Sequence, residues 1–315
     1  MRRIPKIAYI SIAALLLAGC SSTSSNELTL VTHDSAVISD SQIADFEATS
    51  GLKLTVVKAG DTGALTNKLI LTKGDPIADA VYGIDNTFIG KAEDNGVLVA
   101  DSVREIDFAD ICFNYDVAWF TERGIKPPTK WTELTLAKYK GLTVLQNPNT
   151  SSTGLGFLAA TVAKFGEDRW PTFWKSLKAN GVKVTAGWED AYYTEFSGSA
   201  GKGSYPIVLS YSSSPADEAN NKAILTDCFR QTEYAAVLSG AKNPSGAKAL
   251  IEWLREVEFQ NSMPTSMYVY PVNEAAAIPD SWATKAPAAT SVLGSNLKIS
   301  DRRESWLKTW SELFG

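Results

Sequence analysis

Residues 27–60, "ELTLVTHDSAVISDSQIADFEATSGLKLTVVKAG", contain the pattern that decides the fold. The opening "ELTLVTH" and the closing "LKLTVVKAG" alternate apolar and polar residues and are rich in β-branched residues, which predicts two strands. Between them, "SDSQIADFEATSG" predicts a helix with Ser39 or Asp40 as its N-cap and Gly51 just past its end. A strand, a helix and a strand in this order indicate a βαβ unit, whose strands lie parallel in one sheet.

The residues before this stretch predict export and attachment to a membrane. Arg2 and Arg3 precede an apolar run that is too short to span a bilayer, and the run closes with "LAGC" at Cys20. This string resembles a bacterial lipobox, which implies a signal peptide over residues 1–20 and a lipid on Cys20. The polar string at residues 21–26 is typical of a flexible tether. We therefore expect a lipid-anchored protein on the extracytoplasmic side of the cell membrane.

The residues after the stretch continue the same alternation. "TGALTNKLILTKG" predicts a helix, "ADAVYGID" a short buried strand, and "NTFIGKAEDNG" a helix that stops at Gly96. A second series follows "ICFNYDVAWF", with "TELTLAKYKG" as a helix and "LTVLQNP" as a strand. Near the end, Trp306, Trp310 and Phe314 recur every four positions, which predicts a helix face packed into the core. A mature chain of about 290 residues exceeds what one core usually supports, so we expect an α/β protein of two lobes.

The composition argues against two classes of function. The chain has 35 Asp and Glu against 30 Lys and Arg, and no basic stripe, which argues against nucleic acid as a partner. His33 is the only histidine and no Cys-x-x-Cys pair occurs, so we expect no metal site.

Residues 187–196, "GWEDAYYTEF", combine Trp188, Tyr192 and Tyr193 with three carboxylates. Aromatic residues alone are typical of a core. Ring faces attract cations, however, and a nearby carboxylate balances the charge, so we interpret the segment as part of a site for a flat, positively charged ligand. Ordinary core packing is the alternative interpretation of each ring.

Five further strings accompany "GWEDAYY" in a fixed order along the chain. They are "VTHDS" at 31–35, "GIDN" at 83–86, "NPNTSSTGLGF" at 147–157, "VLSYSSSPA" at 208–216 and "MPTSMYVYPV" at 263–272. Together they resemble the thiamine-binding members of the substrate-binding proteins that serve ATP-driven (ABC) importers. The resemblance covers nearly the whole mature chain.

The resemblance implies an α/β fold of the periplasmic-binding-protein type II, with two lobes, two crossover strands as a hinge and a ligand cleft between the lobes. One lobe would comprise residues 27–110 plus 230–315, and the other residues 111–229. "ICFNYD" and "CFRQTEY" resemble the two hinge strands, which implies that Cys112 and Cys228 lie side by side. Since disulfides persist in exported proteins, the implied pairing is a disulfide between them.

The implied ligand places a demand on aromatic residues. Thiamine carries a permanently charged thiazolium, and the resemblance points to Trp188, Tyr211 and Tyr268 as the rings around it. Tyr192 lies one helical turn after Trp188 and would share its face.

The polar parts of the ligand place a second demand. Asp34 and Asp85 each follow a predicted strand, where a carboxylate either binds the aminopyrimidine amine or caps the next helix. For the hydroxyethyl arm, which bears phosphate in thiamine monophosphate and thiamine diphosphate, a helix start offers donors and Ser212 offers a hydroxyl. The helix-start donors belong to Ser152, Thr153 and Gly154, with plain capping as the alternative.

Three positions depart from the family pattern. His33 stands before Asp34 where a tyrosine is expected, Asp217 stands where another tyrosine is expected, and Tyr268 replaces a tryptophan of some members. The departures leave open whether His33 and Asp217 contact the ligand, and whether thiamine or its phosphates are preferred.

The implied function is that of a monomeric, non-catalytic receptor without a cofactor, which captures thiamine and delivers it to the permease and ATPase of an ABC importer. One alternative is an enzyme that resembles the type I thiaminases and uses Cys112 as its nucleophile, which a disulfide would prevent. The others are a ferric-ion binder that uses Tyr192 and Tyr193, and a binder of another organic cation.

Overall fold

The computed structural model describes residues 26–199, 203–216 and 218–315. The predicted signal peptide, Cys20 and nearly all of the predicted tether lie outside the described residues, as does Asp217. Over the described ranges, no helix combines the length and the apolar character that crossing a membrane requires.

The described strands form one mixed sheet. In chain order they are β1 (Glu27–Thr32), β2 (Lys53–Lys58), β3 (Ala80–Asp85), β4 (Arg104–Asp116), β5 (Thr143–Gln146), β6 (Lys183–Thr185), β7 (Ile207–Tyr211), β8 (Asn221–Ala223), β9 (Phe229–Val237) and β10 (Tyr270–Pro271). The spatial order is β2-β1-β3-β9-β4-β7-β5-β6, and β8 and β10 both pair with β4. Two parallel groups, β2-β1-β3 and β7-β5-β6, are thus joined through the antiparallel pair of β9 and β4.

Helices cover both faces of this sheet. In chain order they are α1 (Asp40–Ser50), α2 (Thr62–Leu71), α3 (Ile89–Asp94), α4 (Val117–Glu122), α5 (Ser152–Phe165), α6 (Trp170–Ala179), α7 (Pro244–Trp253), α8 (Val257–Gln260), α9 (Met263–Ser266), α10 (Trp282–Lys285) and α11 (Ile299–Phe314), with a π-helix at Asp190–Glu195. Leu30 and Val31 show how the faces separate, because these neighbours in β1 belong to different hydrophobic clusters. The period of two in the strand sequence sends one side chain to each face.

The βαβ unit predicted from residues 27–60 is confirmed. β1 and β2 pair in parallel from Glu27 with Lys53 to Thr32 with Lys58. Ser39 caps α1 in a capping box with Gln42. Gly51 ends the helix at a φ of 71°, a left-handed conformation that favours glycine.

The two strands predicted as a hinge lie side by side in the middle of the sheet. β4 pairs with β9 from Arg104 to Ile111, and with β7 from Ile111 to Tyr115. The long strand β4 therefore contacts both halves of the sheet. The predicted disulfide between Cys112 and Cys228 is confirmed, and their Cα atoms are 4.8 Å apart.

The helix predicted for "TELTLAKYKG" is wrong. The segment forms two short 3-10 turns, Trp131–Thr135 and Ala137–Tyr139. The side-chain amide of Asn180 donates to the carbonyls of Leu134 and Leu136, at 2.7 and 3.0 Å, and so occupies acceptors that a continuous helix would use. The tertiary contact with Asn180 therefore replaces the helix that the local sequence pattern predicts.

The C-terminal helix α11 packs as its apolar stripe predicts, with Trp306 and Trp310 buried in the core. Its C-terminal part contacts α6, where the rings of Trp310 and Trp174 are 5.9 Å apart. Its N-terminal part lies against α3, since a Cβ on Gly90 would meet Ser300. The helix therefore contacts segments assigned to both expected lobes, and the lobe boundaries stay a prediction.

Candidate functional site

A cavity lies between the two parallel groups of the sheet and opens to solvent, and the space within it, including part of that solvent, is about 770 Å³. Side chains from both groups and from the central pair β4 and β9 line it. The lining residues are His33, Ser35, Asp61, Thr62, Tyr82, Asp107, Ala109, Ser152, Trp188, Tyr192, Tyr193, Tyr211, Ser214, Gln231, Glu233, Met267, Tyr268 and Val269.

One wall of the cavity is aromatic. The rings of Trp188 and Tyr192 stack with centroids 4.9 Å apart and planes 14° from parallel. Tyr211 lies beside them, with its ring 6.0 Å from that of Trp188. The prediction that Trp188 and Tyr192 share a face is confirmed, although the intervening backbone enters a π-helix and not an α-helix.

Trp188 is fixed in the wall by hydrogen bonds at both of its N–H groups. Its indole Nε1 donates to Ser210 Oγ at 2.9 Å, and its backbone amide donates to Asp61 Oδ2 at 2.9 Å. Asp61 belongs to the start of α2, and Trp188 follows β6 on the other side of the cavity. The position of this ring therefore depends on both sides.

The opposite wall is acidic. Glu233 Oε2 lies 3.1 Å from His33 Nε2, and Gln231 donates to Glu233 Oε1 at 2.8 Å. The hydroxyl of Tyr211 donates to Gln231 Oε1 at 3.1 Å, so a chain of hydrogen bonds connects the two walls. Asp107 accepts a short hydrogen bond from the hydroxyl of Tyr82.

Burial and neighbouring charges shift the pKa values of these groups. For His33, burial acts to lower the pKa, but the charges of Glu233, Asp61 and Asp107 and the hydrogen bond to Glu233 outweigh it and raise the pKa to about 9. Burial, and then the charge of Glu233, raise the pKa of Asp107 well above its usual range. Burial likewise raises the pKa of Asp61. His33 is therefore protonated at neutral pH and offsets Glu233. Among the described lining residues no lysine or arginine occurs, and three carboxyl groups stand against the single charge of His33. A cationic ligand beside them would favour the charged forms of Asp61 and Asp107.

Five of the ten predicted ligand residues line this cavity. They are Ser152, Trp188, Tyr192, Tyr211 and Tyr268. Tyr268 has a φ of 56°, which is uncommon for a residue with a bulky side chain. Such a conformation persists only where the surrounding chain enforces it, and it clusters at ligand sites.

Asp34 and Asp85 lie outside the lining of this cavity, and their contact with a ligand stays a prediction. Asp34 lines an adjoining cleft that shares Asp61 and Trp188 with the cavity. Asp34 Oδ1 accepts from the amide of Gly60 at 2.9 Å and so joins the loops that follow β1 and β2. Asp85 is fully buried, and its Oδ1 accepts from the amides of Thr87 and Phe88 at 3.1 and 3.2 Å. The turn before α3 uses this carboxylate, whereas α3 itself begins after Phe88 without a side-chain cap. Burial raises the pKa of Asp85 to about 7.

Thr153, Gly154 and Ser212 also lie outside the lining of this cavity, and each is packed inside the protein. The hydroxyl of Thr153 donates to Gln146 Oε1 at 2.9 Å. A Cβ on Gly154 would lie 2.5 Å from the carbonyl oxygen of Gln146, so this glycine permits close packing of α5 on β5. Ser212 is buried, and its amide donates to the carbonyl of Asp110 at 2.8 Å.

Sequence reasoning missed three acidic lining residues. Asp61 follows β2 just as Asp34 follows β1, so its position at a strand end was an available signal. Asp107 and Glu233 lie within β4 and β9, where a buried carboxylate needs a partner or a function. His33 was noticed only as a departure from a pattern, and it proves to line the cavity beside Glu233.

Tyr192 and Tyr193, the pair of the ferric-ion alternative, differ in orientation and in exposure. Their rings are nearly perpendicular at 87°, and Tyr193 is 45% exposed whereas Tyr192 is buried. Within the described ranges, no group of three or more His, Cys, Asp or Glu side chains is placed to hold a metal ion.

A cavity between two groups of parallel strands, which a central antiparallel pair joins into one sheet, is the architecture of the two-lobed periplasmic binding proteins. Residues 75–290 match the family of bacterial extracellular solute-binding proteins, and the chain belongs to this family.

Relatives of known name agree with this assignment. The chain is 28% identical to the "Thiamine-binding periplasmic protein" of Salmonella typhimurium, over 84% of this chain and 85% of that protein. It is 26% identical to the protein of the same name from Brucella abortus, over 98% of each chain. Among solved structures, a "Periplasmic thiamin binding protein" matches with a TM-score of 0.79 and 27% identity, over 92% of this chain and 96% of that one. A ferric binding protein from Campylobacter jejuni matches with a TM-score of 0.72 at 16% identity, over 91% and 99%, and shares the fold alone.

Proposed function

We propose that this protein binds thiamine, or a phosphate of thiamine, and delivers it to the permease of an ABC importer. The observation that carries the proposal is the cavity itself, which is lined by the rings of Trp188, Tyr192 and Tyr211 together with the carboxyl groups of Asp107 and Glu233. The names of the relatives support the same ligand.

The binding free energy of such a ligand would come from several kinds of contact that this cavity can make. Cation–π contacts at two or three rings contribute about 1–2 kcal/mol each, while a nanomolar complex needs about 12 kcal/mol. Burial of the two heterocycles and hydrogen bonds to the acidic wall must supply the remainder, against the loss of ligand freedom. A cavity with walls from two sides of the chain is therefore the appropriate form of site.

Calorimetric titration of the purified protein tests the proposal. We expect saturable binding of thiamine, with tryptophan fluorescence changing in parallel because Trp188 lines the cavity. Titrations with thiamine monophosphate, thiamine diphosphate and spermidine establish which cation is preferred. Absence of heat with all three thiamine compounds, together with binding of spermidine or a visible iron–tyrosinate band with ferric ion, would replace thiamine by that ligand.

A thiaminase reaction finds no support in the state of Cys112. Its sulfur is bonded to that of Cys228, and a disulfide sulfur is not the free thiolate that such a nucleophile requires. Assay of the oxidised and reduced protein for thiamine cleavage checks this point, and we expect no turnover in either state.

We further propose that lipid on Cys20 anchors the protein to the extracytoplasmic face of the membrane and that it acts as a monomer. The lipobox-like sequence supports the anchor. Cell fractionation of the wild type and of Cys20→Ser tests it, and we expect the wild type in the membrane fraction and the variant in the soluble one. An equal distribution of the two would remove the anchor from the proposal.

A further inference from the structure

The start of α2 contacts the loop before α5 across the cavity. The amides of Gly63 and Ala64 both donate to the carbonyl of Thr150, at 3.1 and 3.3 Å. Thr150 is itself held in place, because its hydroxyl donates to the carbonyl of Ala186 at 2.6 Å. This contact therefore connects the β2-β1-β3 side of the molecule to the β7-β5-β6 side.

Only glycine allows the two backbones to come this close at position 63. A Cβ on Gly63 would lie 2.7 Å from the carbonyl carbon of Thr150 and 2.9 Å from the carbonyl oxygen of Asn149. Both are backbone atoms, which cannot rotate away as the end of a side chain can. Since glycine weakens a helix and Gly63 lies within α2, helix stability does not explain its presence.

Both segments that form this contact, the start of α2 and the loop before α5, adjoin residues that line the proposed binding site. Asp61 and Thr62, which line the cavity, directly precede Gly63, and Ser152 lies two residues after Thr150. Asp61 makes a second bridge beside it, through its hydrogen bond from the amide of Trp188. A ligand in the cavity is thus enclosed on this side by a short row of hydrogen bonds between backbone groups and one carboxylate.

We propose that Gly63 is a positioning residue whose close contact with Thr150 holds the two sides of the cavity together over the bound ligand and so controls the rate of ligand release. This inference rests on the proposed function, because it takes thiamine as the ligand whose release is measured.

Stopped-flow dissociation of thiamine from Gly63→Ala tests the inference. We expect dissociation at least about tenfold faster than in the wild type, because the added methyl group separates both amides from Thr150. Gly74→Ala is the matched control, since Gly74 is exposed and a Cβ there meets nothing within 4 Å. Thermal unfolding of the ligand-free variants shows that both are folded. A dissociation rate in Gly63→Ala equal to that of the control overturns the inference.

Hydrogen exchange separates failure of the inference from failure of the proposed function. The first amides of a helix have no acceptor within the helix, so those of Gly63 and Ala64 exchange slowly only while Thr150 accepts from them. We expect slow exchange at both amides in the wild type with thiamine present and fast exchange in Gly63→Ala. If the wild type binds no thiamine, the proposed function fails. Hydrogen exchange at the amides of Gly63 and Ala64 in the ligand-free protein then tests whether the contact with Thr150 forms. Fast exchange in the wild type would disprove this contact, and slow exchange that Gly63→Ala abolishes would support it.

Discussion

At the scale of single residues, the site depends on side chains that serve both the fold and the cavity. Trp188 contributes a ring to the aromatic wall and is fixed by donation to Ser210 and Asp61. Gly83 has a comparable role for the acidic wall, since a Cβ there would lie 1.9 Å from the ring of His33. With a φ of 99°, this position favours glycine for its backbone as well.

Substitution of the aromatic wall should weaken binding more than it weakens the fold. We expect Trp188→Ala and Tyr211→Ala each to raise the dissociation constant for thiamine at least about tenfold, because each loses a cation–π contact and apolar burial. Isothermal titration measures the effect. Trp253→Ala is the control for loss of an aromatic ring, since Trp253 packs on Phe46 and Phe259 and does not line the cavity. Unchanged titrations of the first two variants would refute the assignment.

The pair of His33 and Glu233 should make stability depend on pH. The pKa of His33 is raised in the folded protein to about 9, above its ordinary value of 6.5, so the pair stabilises the fold fully below about pH 6.5. That contribution, about 3 kcal/mol at most, is lost as the pH rises through about 9. Urea unfolding of the wild type and of His33→Gln at several pH values measures it. We expect the free energy of unfolding to fall less between about pH 6.5 and 9 in His33→Gln than in the wild type. An equal fall in both proteins would contradict the role of the pair.

At the scale of secondary-structure elements, β4 and β9 carry the connection between the two sides of the sheet. Their pairing extends from Arg104 to Ile111, and the disulfide follows directly at Cys112. The cavity residues Asp107 and Glu233 lie on these same strands. The elements that connect the two sides therefore also present part of the acidic wall.

Removal of the disulfide should lower stability and spare the site. Cys112 and Cys228 are separated by 116 residues, and closing a loop of that size restricts the unfolded chain by about 4–5 kcal/mol. We expect Cys112→Ser combined with Cys228→Ser to lower the free energy of unfolding by about 3–5 kcal/mol, as measured in urea. Thiamine affinity should change less than threefold or so, because the backbone pairing of β4 and β9 remains. A loss of affinity well above about threefold would show that the bond shapes the cavity.

At the scale of the whole molecule, α11 contacts both sides of the protein. Trp306 and Trp310 bury one face of the helix, and Trp306 Nε1 also donates to Glu167 at 2.9 Å. Asn149, next to the contact of Gly63 with Thr150, donates to Ser311 of α11 at 3.2 Å. The C-terminal helix thus contacts the loop that contains Asn149 and Thr150.

Loss of a ring from α11 should destabilise the molecule as a whole. Trp310 is 3% exposed and packs on Trp174 and Phe314, so we expect Trp310→Ala to cost about 3–5 kcal/mol in the free energy of unfolding. Lys308→Ala, at an exposed position of the same helix, should change it by no more than about 0.5 kcal/mol. Chemical denaturation measures the free energy of unfolding of both variants. An equally small loss in Trp310→Ala and Lys308→Ala would contradict a core role for Trp310.

The sequence by itself determined the βαβ pattern, the neighbouring hinge strands, the disulfide and half of the expected cavity residues. The βαβ pattern follows from periodicity along the chain, whereas the hinge strands, the disulfide and the cavity residues follow from the resemblance of short strings to the thiamine-binding family. Only the tertiary structure decided that Asp61, Asp107 and Glu233 line the cavity while Asp34 and Asp85 do not. Whether a carboxylate at a strand end faces a cavity or a nearby amide depends on how distant segments pack. The contact of Gly63 with Thr150 was likewise decided only by the tertiary structure, since no local pattern in either segment specifies the distance between the two segments.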